Sequence, residues 1–518
     1  MEVGRVIGTT SLRQFRFVIK DGQEKWVKRD EFITVREAVT QMEIIGIVKD
    51  ILISNELLPD EFGRDLHMGN IVLADGEHPI PLVKIVGYEA EDGSGLELPR
   101  YGINPGAAVE LADDEILKNL LKQNPDVSAM IGVLSTREGI PIHISINELI
   151  SKHFAVLAMT GAGKSYTVGV LIEELMKKQG SLVVFDPHGE YKGMEFDDSD
   201  VVVYGLEGGE DEESRNRRIK IEVSSLGIGD FFNLIPGLTD PQYDLLSEVI
   251  NQVSKFYKKY DLNHILNFLN ILFDIKNKRD INSEKYPEVD IYPEGMLSEM
   301  AKKVGFSTIG ALMRRISALD RMGIFELYGT PVTDIANKNQ LTVINLSDAD
   351  ERISETIIAA ICRGIFLARK RHEKEDSGVK LKYPVLLTIE EAHNFAPRST
   401  DDRPVLSRGV LRKIAREGRK FGVGLCIVSQ RPNKLDADVL SQCNSLIIMK
   451  IVNPSDQEYI RQSVETVTED IVRDLPSLAR GEAIIVGGTI KLPVTVKIRK
   501  RETAVGGEDI NIVGAWRE

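Results

Sequence analysis

Hydrophobic residues fall into two different patterns along the chain, and the first pattern covers residues 1–100. There they form short runs, each bounded by Gly, Pro, Asp or Asn. Runs of this length and spacing predict the strands of a small β-barrel. We therefore expect a barrel over residues 1–100, followed by a linker over residues 101–131 that holds one short helix. The runs are Phe15–Ile19, Ile44–Val48, Asn70–Leu73 and Leu82–Val86.

The second pattern begins at Gly132, where apolar β-branched runs alternate with segments of helical periodicity. Nearly continuous apolar strands separated by helices predict a mostly parallel sheet that is buried on both faces. We assign residues 132–224 and 336–500 to this α/β core. Its strands are predicted at Phe154–Ala158, Ser181–Phe185, Val201–Tyr204, Leu341–Asn345, Pro384–Ile389, Gly424–Ser429 and Leu446–Ile451.

Residues 225–335 interrupt the core with a different pattern. Their apolar positions have helical periodicity, as in the run from Tyr243 to Ile250, so this stretch is predicted to be a helical insertion. Strand-like runs return at Ile484–Val486 and Val494–Val496. Residues 501–518 are predicted to form an extended C-terminal arm.

Length and composition indicate a protein of several domains. The chain has 518 residues, of which 42% are hydrophobic and 28% charged, as in soluble globular proteins. No apolar run approaches the roughly 20 residues that span a membrane, and the N-terminus has no secretory pattern. We expect a cytoplasmic protein without membrane contact. Its three cysteines have no metal-ligand spacing and are expected to be buried in a reducing compartment.

Charge is distributed unevenly. The formal net charge of −14 argues against a simple basic nucleic-acid binder. The segment from Arg398 to Lys434, however, contains ten basic and three acidic residues. Because local charge decides whether a groove or pore attracts a polyanion, this segment keeps DNA among the possible partners.

The segment from Ala158 to Ser165 has the pattern of a phosphate-binding P-loop. It follows an apolar strand, ends in Gly-Lys-Ser and precedes a helix. Lys164 is expected to reach the β- and γ-phosphates of ATP, and Ser165 to bind Mg²⁺. Ala158 stands where the pattern usually has its first glycine. The residues expected to contact the nucleotide are Thr160, Gly161, Ala162, Gly163, Lys164, Ser165 and Tyr166.

A second motif consists of an apolar strand that ends in two acids, Glu390 and Glu391. This is the Walker B arrangement. We expect Glu390 to hold Mg²⁺ directly or through water, and Glu391 to polarise the attacking water. Many such ATPases have Asp at the first position, where this chain has Glu390. His393 is interpreted as a residue of a helix surface, with a functional switch as the alternative.

Asp186 follows the second predicted core strand, and in a parallel sheet the ligands gather at the carboxyl ends of the strands. A role for Asp186 near the metal or the water and a purely turn-forming role remain equally open. Gln430 ends another predicted strand, where its amide could sense the γ-phosphate. Arg416 and Arg419, with Lys420, share a helix face, and an exposed arginine there could act on a neighbouring subunit's ATP.

Five segments of the chain, taken in their order along the sequence, resemble the motifs of the archaeal HerA family. This family belongs to the HerA/FtsK group of DNA-pumping ATPases. The resemblance covers most of the chain and includes the N-terminal barrel, which is similar to the small barrel of ATP synthase subunits. The segments are Met-Thr-Gly-Ala-Gly-Lys-Ser, Asp-Pro-His-Gly-Glu-Tyr, Ile-Glu-Glu-Ala-His-Asn-Phe, Arg-Glu-Gly-Arg-Lys-Phe-Gly and Ser-Gln-Arg-Pro.

This resemblance implies a RecA-like ATPase core in a homo-hexameric ring that moves on double-stranded DNA. It also implies ATP and Mg²⁺ at the subunit interfaces, and a NurA-type nuclease as partner in DNA end resection during recombination repair. Arg416, or otherwise Arg419, would be the arginine supplied to the neighbouring subunit. The C-terminal arm would brace that neighbour.

Two other functions compete with a DNA-dependent ATP hydrolase. A DEAH-type superfamily 2 helicase is suggested by Glu-Glu-Ala-His, but the sequence lacks the Gln-x-x-Gly-Arg-x-x-Arg helix of its second lobe. A nucleotide-gated DNA-binding ring with little turnover is the other alternative, and the presence of Glu391 argues against it. Lys192 and Arg398 are expected to contact DNA phosphates in a pore, although ordinary surface charges are an equal alternative.

Overall fold

The fold was obtained as a computed structural model, which describes residues 1–55, 77–90, 96–208, 215–279, 281–398, 405–504 and 506. The chain forms two compact units. The first contains Met1–Ser145 with Glu482–Arg499, and the second contains Ile146–Gly481 with Lys500–Glu518. These units are defined by contacts within the fold, and the domain boundaries given above stay predictions. The predicted strand at Asn70–Leu73 lies outside the described residues.

A closed six-stranded barrel occupies the first unit, as the sequence predicted. Neighbouring strands are antiparallel, and the second strand pairs with the fifth to close the barrel. Successive side chains of a strand point to opposite faces, and this alternation fills the barrel interior. In the second strand Phe15, Phe17 and Ile19 are buried, while the residues between them face outward. In chain order its strands are Glu2–Ile7, Gln14–Ile19, Phe32–Arg36, Glu43–Asn55, Glu77–Glu89 and Ala108–Leu111, and Leu96–Glu97 adds a short pairing to the fifth.

A four-stranded antiparallel sheet completes the first unit. Its order is Glu482–Gly487, Val494–Ile498, Ser128–Leu134 and Arg137–Ser145, so two pairs of strands that are far apart in the sequence meet in it. The range expected to be a linker, 101–131, therefore contributes a barrel strand and part of this sheet. It also holds the expected short helix, Asp114–Leu120.

A parallel sheet forms the centre of the second unit. Its strands are buried along most of their length, because helices connect successive parallel strands and cover the sheet. All seven strands predicted for the core are present. Among the described residues the order is Asn216–Arg218, Asp200–Gly205, Gln340–Asn345, Ser181–Asp186, Val385–Ile389, Val423–Ser429, Phe154–Leu157 and Ser445–Ile448.

The predicted helical insertion is also confirmed. It lies between two strands of this sheet and consists of Ile228–Leu234, Asp240–Phe256, Leu262–Lys276, Glu294–Lys303 and Phe306–Asp320. Asp261 begins the third of these helices by accepting the amide of His264 at 3.1 Å. The remaining α-helices of the unit are Ile146–Ser151, Lys164–Met176, Val332–Ile335, Glu351–Glu373, Ala392–Phe395, Leu406–Glu417, Ala437–Ser441, Pro454–Ser463 and Glu469–Asp474, and a small parallel pair joins Ile221–Glu222 to Phe325–Glu326.

His153 fixes the amino end of the strand that leads into the P-loop. Its Nδ1 accepts the amide of Leu425 at 3.0 Å, so the proton is on Nε2, which donates to the carbonyl of Ala415 at 3.0 Å. The side chain is buried, and burial lowers the pKa of His153 to about 4. The fold therefore requires neutral His153.

This requirement predicts a loss of stability in acid. The folded pKa is below the unfolded value of about 6.5, so the contribution is complete above pH 6.5 and decreases as the pH falls towards 4. Across that window it amounts to roughly 3 kcal/mol. Asparagine tolerates the positive φ of His153, so His153→Asn is a suitable variant. Urea denaturation measures the free energy of unfolding at pH 7 and at pH 4.5. The decrease between the two pH values should be smaller in this variant than in the parent. Equal losses in the two proteins would contradict the assignment.

Candidate nucleotide site at the carboxyl edge of the parallel sheet

The P-loop lies between the strand Phe154–Leu157 and the helix Lys164–Met176. Gly161 and Gly163 have φ values of +79° and +106°, which side chains rarely permit. Ala158 instead continues the strand, and its amide donates to the carbonyl of Ser429 at 3.2 Å, so an alanine is compatible there. The loop thus presents backbone amides and a helix N-terminus to one space, which is the arrangement that binds phosphate.

The lysine of the loop contacts both acids of the Walker B strand. Lys164 Nζ lies 2.7 Å from Glu390 Oε2 and 2.9 Å from Glu391 Oε1. All three side chains are largely buried. Burial lowers the pKa of Lys164, but the two carboxylates outweigh it and raise that pKa, so the ammonium remains charged. Burial likewise raises the pKa of Glu390, against the opposing effect of Lys164.

Glu391 has an unusual backbone and one unpaired oxygen. Its φ of +47° and ψ of 43° place it in the left-handed region, which is uncommon for a glutamate and is found where structure or function holds a residue in place. Among the described residues, its buried Oε2 has no hydrogen bond. His393 Nδ1 is 3.3 Å away, close enough for charge interaction but without hydrogen-bond geometry. An unpaired buried carboxylate oxygen suits a residue that accepts a proton from water.

The interpretation of His393 as a helix-surface residue is wrong. Its side chain is only 9% exposed, and its Nδ1 lies 3.1 Å from Ser429 Oγ as well as near Glu391. The helix that carries it, Ala392–Phe395, is a single turn directly after the acids, so it does not form a separate surface. Burial lowers the pKa of His393. The short spacing from Glu391 was the signal in the sequence that could have identified this contact.

Asp186 is used to close a loop. Its Oδ2 accepts the amide of Tyr191 at 2.9 Å and its Oδ1 accepts the amide of His188 at 3.2 Å. These bonds favour the turn-forming role of the two that the sequence left open. Burial raises the pKa of Asp186. The loop brings in a residue that the sequence analysis missed, because the buried Tyr191 hydroxyl donates to Glu390 Oε1.

The expected sensor residue meets the P-loop. Gln430 follows the strand Val423–Ser429, and its amide oxygen accepts the hydroxyl of Thr160. Ser165 is half-buried in the first turn of the P-loop helix. Tyr166 points elsewhere, since its hydroxyl accepts the amide of Arg501 from the C-terminal segment at 2.6 Å.

The two candidate arginines are not brought to the P-loop of their own chain. Arg416 lies in the last turn of the helix Leu406–Glu417, and Arg419 in the turn that leads to the strand Val423–Ser429. They are therefore at the amino edge of the sheet, while the P-loop is at its carboxyl edge. A strand of 7 residues separates these edges by about 20 Å. Both arginines are exposed, and Arg416 pairs with Asp438 at 2.5 Å.

The two candidate DNA contacts lie on loops of the second unit. Lys192 follows the loop closed by Asp186, and it is exposed. Arg398 follows the Walker B segment, with its guanidinium 5.1 Å from the ring centre of Tyr459 and its amide donating to the carbonyl of Lys434 at 2.8 Å. The two basic residues Arg398 and Lys434 border one surface pocket.

Residues 129–365 match the family model described as the central domain of helicase HerA. The DNA double-strand break repair helicase HerA of Pyrococcus furiosus is 32% identical over the whole of this chain and 97% of its own length. The chain belongs to the HerA helicase family. The probable DNA double-strand break repair helicase HerA of Methanocaldococcus jannaschii is 33% identical over the whole chain and 99% of its own length.

Among solved structures, the chain is similar to VirB4 of Thermoanaerobacter pseudethanolicus, with a TM-score of 0.44 and 17% identity over 72% of this chain and 96% of that one. The conjugative coupling protein TrwB has a TM-score of 0.48 and 12% identity over 76% of this chain and 94% of that one. This HerA-family protein is a P-loop ATPase by its family and by the P-loop and Walker B geometry described above. In the described residues no helix is long and apolar enough to cross a membrane.

The residues at this edge fit ATP and Mg²⁺. The positive φ values of Gly161 and Gly163 give the loop the tight turn that a phosphate-binding loop needs. Lys164 supplies a positive charge, and Glu390 supplies oxygen of the kind that Mg²⁺ prefers. The unpaired Glu391 Oε2 adds an acceptor that nothing in the described protein satisfies. Lys164, Ser165 and Glu390 would hold the phosphates and the metal.

Removing the lysine tests this assignment. Lys164→Ala deletes the ammonium, so the phosphates lose their contact and the two acids remain buried without a counter-charge. We expect ATP turnover to be abolished. The matched control is Lys178→Ala, at an exposed lysine just beyond the same helix, which should turn over at the parent rate. A steady-state phosphate-release assay checks this, and Lys164→Ala turnover within about threefold of the parent would contradict the P-loop role.

Proposed function

We propose that the protein is a homo-hexameric, ATP-driven translocase or helicase on double-stranded DNA. It would act in the cytoplasm, in DNA end resection and recombination repair, together with a NurA-type nuclease. The observation that carries this proposal is the contact of Lys164 with Glu390 and Glu391 below the P-loop. The printed names of the relatives, which are DNA double-strand break repair helicases, support the DNA and repair context.

The residues have separate roles in the proposed hydrolysis. Lys164 would contact the β- and γ-phosphates, and Glu390 and Ser165 would hold Mg²⁺, which neutralises the charge that develops on the phosphates. Glu391 would orient and polarise the attacking water through its unpaired Oε2. Gln430, already in contact with Thr160, would report the presence of the γ-phosphate to the strand behind it.

The contacts of Lys164 also suggest an order of events. The ammonium cannot hold two carboxylates and the phosphates with the same three donors at full strength. Binding of ATP would therefore draw Lys164 away from Glu390 and Glu391. Glu390 would then be free for the metal and Glu391 for water. Binding of the correct ligand would in this way assemble the site.

A ring would complete the site with an arginine. Arg416 and Arg419 lie at the edge of the sheet opposite their own P-loop, so an arginine from this region could reach an ATP only in a neighbouring subunit. An exposed guanidinium suits that position. Arg416 pairs with Asp438, which is itself partly exposed. Exchange of this ion pair for a contact with phosphate would therefore cost little free energy. Arg416 remains the first candidate and Arg419 the second.

DNA would be held through its phosphates. A motor that moves along any duplex must grip the backbone and not the base edges, so binding should be independent of sequence and should weaken strongly with salt. The basic segment from Arg398 to Lys434 offers such contacts despite the net charge of −14. Lys192 is a second candidate contact.

Steady-state ATPase with and without linear duplex DNA, over a range of salt concentrations, tests the proposal. We expect DNA to stimulate turnover, and the stimulation to decrease as the salt concentration rises. Turnover that is negligible with and without DNA would instead favour the nucleotide-gated DNA-binding ring. Stimulation by single strands alone, in a protein that stays monomeric, would favour a superfamily 2 helicase.

Substitution of the two Walker B acids should affect ATP hydrolysis in different ways. Glu391→Gln keeps the size of the side chain but cannot polarise water, so ATP binding should persist while hydrolysis is lost. Glu390→Gln should instead raise the Mg²⁺ concentration needed for turnover. Fluorescent-ATP binding and a Mg²⁺ titration of turnover check both variants. Normal hydrolysis in Glu391→Gln together with inactivity in Glu390→Gln would show that the two roles are reversed.

Mixed rings test the arginine from the neighbouring subunit. Arg416→Ala should keep the fold and ATP binding but reduce turnover by roughly 10³–10⁵, the contribution of such arginines. Co-assembly with Glu391→Gln subunits should restore activity that neither variant has alone, because some interfaces then carry both intact groups. If proven co-assembly restores nothing, Arg416 does not act across the interface, and Arg419→Ala is the next variant for the same experiment.

A further inference from the structure

Tyr191 is a fully buried residue whose hydroxyl meets the proposed metal ligand. The hydroxyl donates to Glu390 Oε1, on the opposite side of the carboxylate from Lys164. A tyrosine is protonated at neutral pH, so the hydroxyl is the donor and the carboxylate the acceptor. The contact joins residues 199 positions apart in the chain. Sequence spacing could not have revealed it.

The position of this hydroxyl is fixed by the sheet. The strands Ser181–Asp186 and Val385–Ile389 are parallel neighbours, with Phe185 opposite Ile389. The loop after the first strand is then closed by the bond from the Tyr191 amide to Asp186 Oδ2 at 2.9 Å. The two ends of the hydroxyl–carboxylate contact are therefore held by segments that follow adjacent strands, and a displacement of Tyr191 would break the bond that closes its loop.

The two side-chain partners of Glu390 have different fates in the proposed cycle. Lys164 is needed at the phosphates, so its bond to Glu390 is temporary. Among the described residues, Tyr191 is the side chain that can keep Glu390 in place after Lys164 leaves. We propose that Tyr191 is a positioning residue, which orients Glu390 towards Mg²⁺ in the nucleotide-bound state. This inference rests on the proposed ATPase function.

The test measures metal-dependent binding and requires no turnover. Tyr191→Phe removes only the hydroxyl, and the matched control is Tyr459→Phe, because the hydroxyl of buried Tyr459 donates to a backbone carbonyl, that of Leu435, at 2.6 Å. Binding of a fluorescent non-hydrolysable ATP analogue is followed during a Mg²⁺ titration. The Mg²⁺ midpoint should rise roughly tenfold in Tyr191→Phe, the size expected for one lost hydrogen bond to a charged group, and stay at the parent value in Tyr459→Phe. Equal midpoints in the two variants would overturn the proposal.

A double-mutant cycle shows whether Tyr191 acts through Glu390. In a Glu390→Gln background, the further change Tyr191→Phe should move the Mg²⁺ midpoint much less than it does in the parent. An undiminished effect in that background would overturn the proposal. If Tyr191→Phe does not fold, Asp186→Asn, which loosens the loop but keeps the hydroxyl, should raise the midpoint, and an unchanged midpoint would overturn the proposal.

The behaviour of the parent protein distinguishes a failure of the proposed function from a failure of the proposed role of Tyr191. A parent that binds the analogue with no dependence on Mg²⁺ contradicts the proposed function itself. A parent with clear Mg²⁺ dependence and a Tyr191→Phe variant that behaves like Tyr459→Phe contradicts only the positioning role. Melting temperatures of the two tyrosine variants without nucleotide measure the structural cost of each lost hydroxyl independently.

Discussion

One buried ammonium between two buried carboxylates is the interaction on which the proposed site depends. Lys164 offsets only one of the two negative charges of Glu390 and Glu391. A buried charge without a partner is costly, so the cluster is stable as long as the lysine stays and favours an additional cation when the lysine leaves. The same imbalance of charge would give the proposed site an affinity for a metal–phosphate complex.

The parallel sheet makes this cluster possible. Adjacent strands place Leu157 opposite Ser429 and Phe185 opposite Ile389, so the segments that follow each strand start at one edge. The P-loop, the acids, the Asp186 loop and Gln430 all follow strands of this edge. These segments are far apart in the sequence, but the register of the strands brings their side chains within hydrogen-bond distance of one another. The arginines precede a strand, and this is why they lie at the other edge.

Features with a local signal could be predicted from the sequence. The continuous apolar runs of the core strands, the glycine turn before Lys164 and the pair of acids after Ile389 each carry their own physical cause within a few residues. The barrel and the helical insertion followed in the same way from alternation and periodicity. Residues whose role depends on partners far along the chain could not be predicted. Tyr191 has no local signal for its contact with Glu390, and nothing near His393 in the sequence indicates its contact with Ser429.

The central claim is that Lys164 exchanges carboxylates for phosphates when ATP binds. A crystal structure with Mg²⁺ and a non-hydrolysable ATP analogue measures this directly through the distance between Lys164 Nζ and Glu390 Oε2, which is 2.7 Å in the present structure. We expect this contact to be broken, with Nζ against the β- and γ-phosphates and the Tyr191 hydroxyl still bonded to Glu390. A bound nucleotide with Lys164 still paired to both acids would contradict it.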